Sequence, residues 1–589
     1  MKKIAIYILL IFNLFISVSS AKNYYVSKSS GSDNNNGLSL SSPFRSIRRV
    51  AKVVLAGDTV YIREGRYTGK IKIEVNGTPD KPIIFKNYEN ETVKLIGDTK
   101  TGGPTLRIVG NYITIDGLHS KLYNPCQGKH NNQFNFEITG DHVTIQHCHF
   151  DGTDSVKDWS PPCNGREGGV LVSGGDYASI YKNEFSELSF QAIKFLDQGK
   201  NVSSFWHVKE NKTNKIHSNG VFIESQQSKM QHGLIEDNEF IGSIVSDGVQ
   251  SNGIYEKGAE PTNYGVIIQN NIIIGNAENG IDLKGTRYYV VQNNILQGNI
   301  GDNDGFQDQI HDAKGGAALN VGSNARAEDN IYRGNLIFDN HAGISPAFRG
   351  YRVYNNTVIN NNRDYTGSNS KNLPKIFIGL SASWMDDIKF MNNIIGNHGG
   401  CEVSIDPTKS SNYIDYNFYI NDPASPPVFC SWIEGEQIKY SFESWKKYLS
   451  LQPIEGKEIH SHIGDPDFLN ANSNIDNLSK NFTFELSPVS PIIGKGGPLT
   501  ITTESGDNSS ALKVEDGKYF TDGMNIIDGD TIMVGSDVVQ VKRKEGNILY
   551  LDQEISWDKN SKVIWCPNHE CPENGLIDIG ATQYKKQKS

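Results

Sequence analysis

The strongest constraint in this sequence is a short segment that recurs along the chain, alternating apolar residues that end beside an asparagine. It reads SIYKNEF at 179–185, LIEDNEF at 234–240, VIIQNNII at 266–273 and VVQNNIL at 290–296, and continues as NLIFDN at 335–340, RVYNNTVI at 352–359 and KFMNNII at 389–395. The equivalent asparagines are Asn183, Asn211, Asn238, Asn271, Asn294, Asn335, Asn356 and Asn393, separated by 28, 27, 33, 23, 41, 21 and 37 residues. A minimum spacing of 21 with irregular excess describes a coil carrying loops of variable length. Self-similarity at such a period marks a solenoid.

The apolar positions alternate with period two and are rich in Val and Ile, which suits strands and not the three-and-four spacing of a helical repeat. Asparagines stacked coil upon coil, about 4.8 Å apart, hydrogen-bond along a ladder. The expected fold is all-β, a right-handed parallel β-helix solenoid with an N-terminal cap and a small C-terminal β-domain, its asparagines inside at one corner. A second strand per coil follows a glycine or alanine, in GGVLVSG at 168–174, QAIKFL at 191–196, NGVFIES at 219–225, NGIYEKG at 252–258, NGIDLKG at 279–285 and GGAALNVG at 315–322. Aligned on that residue, Val170, Ile193, Val221, Ile254, Ile281 and Ala317 point inward. Phe222, Tyr255 and Asp282 then share one outward column, and Glu224, Lys257, Lys284 and Asn320 share the next.

The ends of the chain set its expected compartment and boundaries. Lys2 and Lys3 precede an apolar run from Ile4 to Val18, and Ser19, Ser20 and Ala21 follow. This reads as a secretory signal peptide, residues 1–21, cleaved near Ala21, with the mature chain secreted or periplasmic. The run is too short for a membrane span, and no later stretch approaches that length. Residues 22–496 are read as the β-helix domain. Its cap, over 22–70, holds a first strand, a short helix near Phe44–Leu55 and the strand DTVYIREG. Residues 497–589 carry hairpin signals and read as the small β-domain with a closing strand, LIDIGATQY. Of seven cysteines, Cys126–Cys163, Cys401–Cys430 and Cys566–Cys571 are plausible local pairs in an oxidising compartment. Cys148 occupies an asparagine position of the repeat and reads as a buried small side chain. The net charge of −10, with signs mixed along the chain, argues against nucleic acid as a partner. A monomer is expected.

The opening YYVSKSSGSD, the block SPFRSI…AGDTVYIREGRYTG and the closing LIDIGATQY resemble bacterial β-helix polysaccharide lyases, namely the family-nine pectate lyases and the chondroitinase-B and alginate-lyase group. The resemblance spans residues 22–490. Within it, AENGIDLKG is similar to the family-nine calcium segment, placing Glu278, Asn279 and Asp282 as metal ligands, with Asn279 standing where that segment carries a carboxylate. IDLKG followed by VVQNNIL is similar to the strand that bears a catalytic lysine, which places Lys284 in that role. The next coil of that group offers an arginine where this chain has Asn320, so Arg287 and Arg349 are candidates for the arginine's task.

The resemblance implies β-elimination on an acidic polysaccharide. That reaction removes the C5 proton α to a uronate carboxylate, and a cation must offset the carboxylate's charge. A lysine serves as the base once burial or a neighbouring cation lowers its pKa. Calcium, which takes oxygen ligands from Asp, Glu and Asn, is the expected cofactor. Lys257, Tyr255, Phe222, His311 and Asn320 are the candidate substrate contacts, His311 within the Asp-rich loop 301–316. Two other readings stay open. A glycoside hydrolase on the same scaffold would draw a carboxylate pair from Glu224, Asp247, Glu256 and Asp282, and a non-catalytic glycan-binding solenoid would need neither. Lys284 also reads as a solvated surface residue, and loops rich in Asp, Asn and Gly are commonly solvated turns.

Overall fold

Each coil runs through three strands separated by corners, and a computed structural model shows how these corners are built. It describes residues 20–581, except 99–102, 124–132, 153–166, 198–202, 226–229, 254–260, 300–315, 321–325, 346–347, 362–377, 383–384, 397, 399, 424–425, 434–435, 470–483 and 573–574. A representative coil passes from Ile281–Lys284 in the third sheet to Val290–Gln292 in the first and Ile295–Gln297 in the second. Each strand pairs in parallel with its counterpart one coil away. The third sheet ends in an antiparallel pair, Phe429–Ile433 with Glu436–Tyr440. The molecule is a parallel β-helix, and right-handed winding is the sense that parallel crossovers take.

The corner between first and second sheets is two residues wide, and its chemistry explains the repeat. The residue before the ladder asparagine takes positive φ, between 51° and 58° at Lys182, Glu210, Asp237, Asn270, Asn293, Asn355 and Asn392. The chain therefore turns sharply, and the asparagine that follows points inward. All eight ladder asparagines are at most 1% exposed, inside at one corner as expected. Asn294 is typical. Its Oδ1 accepts both the backbone N–H and the side-chain Nδ2 of Asn271, each at 3.0 Å. Its own Nδ2 donates to the carbonyls of Ile268 and Gln292 and to Asn335 Oδ1, at 2.9–3.0 Å. The ladder runs on to Asn417, whose N–H donates to Ser461. Cys148 occupies the rung before Asn183, and its N–H donates to Asn183 Oδ1 at 2.9 Å. Burial pushes its thiol up to about 12. A second ladder, which the repeat did not reveal, joins Asn276, Asn299, Asn340 and Asn361 between the second and third sheets.

The cap closes the N-terminal end of the core. Asn23–Val26 pairs in parallel with Thr59–Ile62, and the one-turn helix Ile47–Val50 buries Ile47 and Val50 over the first coil. Ser46 caps that helix by accepting from the Arg49 N–H. Cys401–Cys430 and Cys566–Cys571 are disulfide-bonded, whereas Cys126 and Cys163 lie outside the described residues. So do residues 1–19 of the expected signal peptide. Among the described residues no helix is long and apolar enough to cross a membrane.

The C-terminal β-domain is a six-stranded antiparallel sheet formed between Thr500 and Trp565. It covers outward residues of the first sheet, where Leu234, Ile267, Val290 and Ile331 pack with Leu499, Phe520 and Trp565. Arg333, 1% exposed, crosses this junction to Asp530 with contacts of 2.5 and 2.8 Å, and also donates to Gln292 and Tyr354. Arg352 reaches Asp516 and Asp387, and Lys518 reaches Asp329 and Asp387. The closing strand returns to the second sheet, where Ile579 packs on Ile359, Ile394 and Phe418.

One further column bears on the junction. Tyr112, His142, Tyr177, Phe205 and His232 stack at 4.4, 4.5, 5.2 and 4.8 Å with interplanar angles of 3–9°. Gly265, at φ 59°, takes the next place and leaves a gap in the stack. Met524 of the C-terminal domain fills it, its Sδ 3.0 Å from where a Cβ on Gly265 would sit, and its carbonyl lies 3.1 Å from His232 Nδ1.

Replacing Asn294 by Ala strips partners from buried groups on two coils. Each buried group left unpaired costs about 1–3 kcal/mol, so guanidinium unfolding of the variant should show a loss of at least about 2 kcal/mol. An unchanged midpoint would refute the ladder's role.

Candidate active site

The outer face of the third sheet carries the sequence-predicted residues, in a register different from the one expected. The inward column is Val170, Ile193, Val221, Val249, Ile281 and Leu319. Outward, Lys194, Phe222, Gln250, Asp282 and Asn320 form one column, and Leu196, Glu224, Asn252 and Lys284 the next. Two corrections follow. The strand below Ile281–Lys284 is Val249–Asn252, so Asn252, not Lys257, lies beside Lys284. Ser251 disguised that strand in the sequence, because it occupies an inward position. Its hydroxyl is satisfied there by Tyr289 at 3.0 Å and Asn263 at 2.8 Å. On the other side, Gly316 packs against the Glu278 carbonyl, two residues earlier in the coil than the glycine alignment assumed. Asn320 therefore pairs with Asp282, its Nδ2 3.4 Å from Asp282 Oδ1.

Lys284, Asp282, Glu278 and Asp247 make up the charged centre of this face. Lys284 Nζ lies 2.5 Å from Asp282 Oδ2, with side-chain exposures of 23% and 0%. Asp247, fully buried, accepts from the backbone and side-chain N–H groups of Asn279, each at 2.8 Å. Burial pushes the Asp247 carboxyl well above its usual range, and the negative charges of Glu278 and Asp282 push it further. Burial alone would lower the Lys284 ammonium. The charge and hydrogen bond of Asp282, with Asp247 and Glu278 behind it, outweigh burial and hold it above the ordinary lysine value. Lys284 is thus a fixed cation at neutral pH. Asp247 entered the sequence reading only as a hydrolase carboxylate, and nothing local marked it as a neighbour of residues 31–37 positions later.

The other candidates stand elsewhere. Arg287 and Arg349 belong to the first sheet, because Gly285, at φ 63°, turns the chain before Thr286–Arg287. Arg287 pairs with Asp329 at 3.1 Å, and Arg349 reaches Glu328 at 3.5 Å. Neither joins the Lys284 cluster. Phe222 is 9% exposed and has the Lys194 ammonium over its ring at 5.1 Å, so it offers no open stacking face. Glu224, a candidate hydrolase carboxylate, is held by Lys194 at 2.5 Å. Tyr255, Glu256, Lys257 and His311 lie outside the described residues.

Of the expected calcium ligands Glu278, Asn279 and Asp282, two are already engaged, Asp282 by Lys284 and Asn279 by its neighbours. Asn279 Oδ1 accepts the Ala317 N–H at 3.0 Å, and its Nδ2 donates to Asp247 Oδ1 at 2.8 Å. Among the described residues no three His, Cys, Asp or Glu side chains gather closely enough to hold a metal ion. The positive charge within the cluster is that of Lys284.

No family model matches the chain. Two curated proteins are similar over short segments. The uncharacterized protein YwoF of Bacillus subtilis (strain 168) is 40% identical over 99 residues, 16% of this chain and 21% of that protein. Pectate lyase PEL9 of Emericella nidulans is 37% identical over 93 residues, 15% of this chain and 22% of the lyase. The chain thus spans about a fifth of the length of the curated relatives it matches. Among solved structures, a mannuronic acid-specific polysaccharide family 6 lyase from human gut microbiota overlaps with a TM-score of 0.43 and 15% identity, over 68% of this chain and 81% of that one. Pectate lyase Pel9A overlaps with a TM-score of 0.34 and 15% identity, over 83% and 95%. The resemblance to β-helix polysaccharide lyases is present in the segment shared with PEL9.

The raised Asp247 pKa has a consequence for stability. A carboxyl whose folded pKa exceeds the unfolded value of about 3.9 stabilises fully below that value, and the contribution is lost as pH rises through the folded pKa. Asn cannot ionise. Asp247→Asn should therefore gain stability relative to the parent between about pH 4 and pH 8, measured by denaturant unfolding at both pH values. A difference that stays constant with pH would show that Asp247 titrates normally.

Proposed function

We propose that this chain is a polysaccharide lyase acting outside the cytoplasm on a uronate-containing polymer, with Lys284 as the cation that receives the uronate carboxylate. The observation that carries the reading is the Lys284 ammonium, tethered at 2.5 Å to a fully buried Asp282 on the outer face of a long sheet. The similarity to Pectate lyase PEL9 supports the same class.

The chemistry follows from the charge. A uronate carboxylate that meets the ammonium has part of its negative charge offset, so the C5 proton becomes more acidic. The same ammonium then stabilises the enediolate that develops as a water molecule takes the proton, after which the C4–O4 bond breaks and the leaving sugar carries off the electron pair. The side chain is already oriented by Asp282, so little reorganisation accompanies the step. The role of base, expected of Lys284 from the sequence, asks for a lowered pKa. The carboxylates around Lys284 do the opposite.

Three measurements test this. With pectin, rhamnogalacturonan, alginate and chondroitin as substrates, at least one should yield the ultraviolet absorbance of an unsaturated uronate together with new chain ends. Reducing ends without absorbance would mean hydrolysis, and neither product would leave a binding protein. Lys284→Ala should lower turnover by about 10²–10³-fold, the range for removing one electrostatic stabiliser. Lys284→Arg, which keeps the charge, should stay within about tenfold of wild type. Activity should hold up to about pH 10 and fall beyond, as the lysine deprotonates. An inactive arginine variant, with a rate that climbs throughout the alkaline range, would return Lys284 to the role of base.

A further inference from the structure

The seam between the first sheet and the C-terminal β-domain holds a deep concavity that the Lys284 site does not use. A cavity of about 770 Å³ opens there, with Tyr264, Tyr288 and Arg287 on the solenoid side and Lys518, Asp522 and Lys544 on the domain side. A second hollow of about 430 Å³ continues it past Lys389 and Tyr413, and the two share Asp387, Lys518 and Asn547. Arg287, Asp329, Arg349, Lys389 and Tyr413 come from five successive coils, neighbouring coils being about 4.8 Å apart, so the groove runs along the solenoid axis. Its shape suits an extended chain.

Its lining has two kinds of recognition chemistry. Tyr288 is 42% exposed, and one face of its ring is backed by the Arg287 guanidinium at 4.8 Å, with Tyr264 6.3 Å away. A second ring, Tyr413, lies under the Lys389 ammonium at 5.7 Å. Rigid aromatic rings of this kind present apolar faces to the C–H faces of sugars while their hydroxyls stay wet. The charges divide unevenly. Arg287 and Lys518 are held by Asp329, and Lys518 also by Asp387. Lys544 instead donates to the Phe520 carbonyl at 2.8 Å. No carboxylate lies within ion-pair distance of it among the described residues, since Asp522 receives the Lys544 backbone N–H. Burial lowers its pKa, outweighing the longer-range charges of Asp522, Asp530, Asp516 and Asp329, which raise it. Lys389, at the other end, is also lowered by burial and by Arg352.

We propose that this seam groove is a second glycan-binding site, taking a short uronate-bearing oligosaccharide whose carboxylate meets the Lys544 ammonium and whose ring rests on Tyr288. It is separate from the Lys284 face. Arg287 and Arg349, expected from sequence to be catalytic, line this groove. A polymer held here is kept at the solenoid surface while another stretch reaches the third sheet. Two weak sites on one rigid scaffold raise the effective concentration of substrate at each. The Gly265 gap, which admits Met524, is part of what lets the C-terminal domain form the groove's wall.

Calorimetric titration of the full chain tests the proposal. Lys284→Ala is used as background so that cleavage of the probe is slow, and trigalacturonate and trimannuronate are the probes, with cellotriose as the neutral control. At least one uronate trimer should bind more tightly than cellotriose. Lys544→Met and Tyr288→Ala should each weaken that binding by about tenfold or more, as loss of a charge-assisted contact or of an aromatic platform does. Lys544→Arg should retain most of it. Thermal melting confirms that each variant is folded, and the exposed Tyr288 keeps the test valid should Lys544→Met unfold. In the parent with Lys284 intact, Tyr288→Ala should raise KM for polymer. The proposal fails if neither trimer binds at up to about 10 mM, if cellotriose binds as well as both, or if the folded groove variants bind as the parent does. Because Lys284 is absent from the titrations, the groove can fail while the lyase reading stands, and the reverse.

Discussion

Each ladder asparagine pairs backbone groups that a two-residue corner would otherwise bury unsatisfied. Asn294 alone joins the Asn271 N–H and the Ile268 and Gln292 carbonyls to its own amide. A corner this tight has no room for water, and no other strand is close enough to serve these groups. The ladder also couples neighbouring coils, since every Oδ1 accepts from the coil before. Register along the whole solenoid follows from it, including the columns on the third sheet, even though loop lengths between coils vary widely. Cys148 shows what the position tolerates. It contributes its own N–H to Asn183 but cannot extend the ladder by a side-chain amide, and it stands before the unbroken run of rungs.

Fixed columns turn charge placement into chemistry. On the third sheet, three acidic side chains and one lysine share a patch whose deepest members, Asp247 and Asp282, are cut off from solvent. Low local dielectric makes their mutual repulsion strong and their attraction for Lys284 equally so. The outcome is opposite in sign for the two kinds of group, yet single in cause. The proton affinities of Asp247 and of Lys284 are both raised. A site of this kind is built to hold positive charge in place, which is why it suits stabilising an anion more than abstracting a proton.

How much of this the sequence revealed depends on which residues faced the core. The period-two runs and the asparagines are read directly, because the inward positions must be apolar or amide in every coil. The N-terminal cap, the C-terminal sheet and the two described disulfides were legible for similar local reasons. The third-sheet register was not. Ser251 faces inward yet is polar, its partners Tyr289 and Asn263 arriving from the next strands of the coil, and no local pattern announces that satisfaction. Lys284 and Asp282 were found through the DLK segment itself, whereas Asp247 joins them only through coil stacking. Arg287 leaves the Lys284 face for a smaller reason, the left-handed Gly285 directly after Lys284, which sends the chain around a corner.

The C-terminal domain was legible as an element but not as a partner. Its docking relies on Arg333, which from sequence is one more charge on a strand. In the folded chain the guanidinium is fully enclosed by Asp530, Gln292, Tyr354 and the Trp565 ring. Burying such a pair brings little net stability, because desolvation consumes most of the Coulomb gain. What it supplies is placement, since a buried guanidinium that makes four hydrogen bonds to Gln292, Tyr354 and Asp530 restricts how those partners can be arranged. The apolar contacts of Leu234, Ile267, Val290 and Ile331 would tolerate sliding along the solenoid, whose coils repeat the same outward pattern. Arg333 and the Met524 side chain seated at Gly265 each select one coil. With the domain locked at that coil, the wall carrying Lys544 stands opposite Tyr264 and Tyr288, and the groove between them has a defined shape instead of being a variable gap.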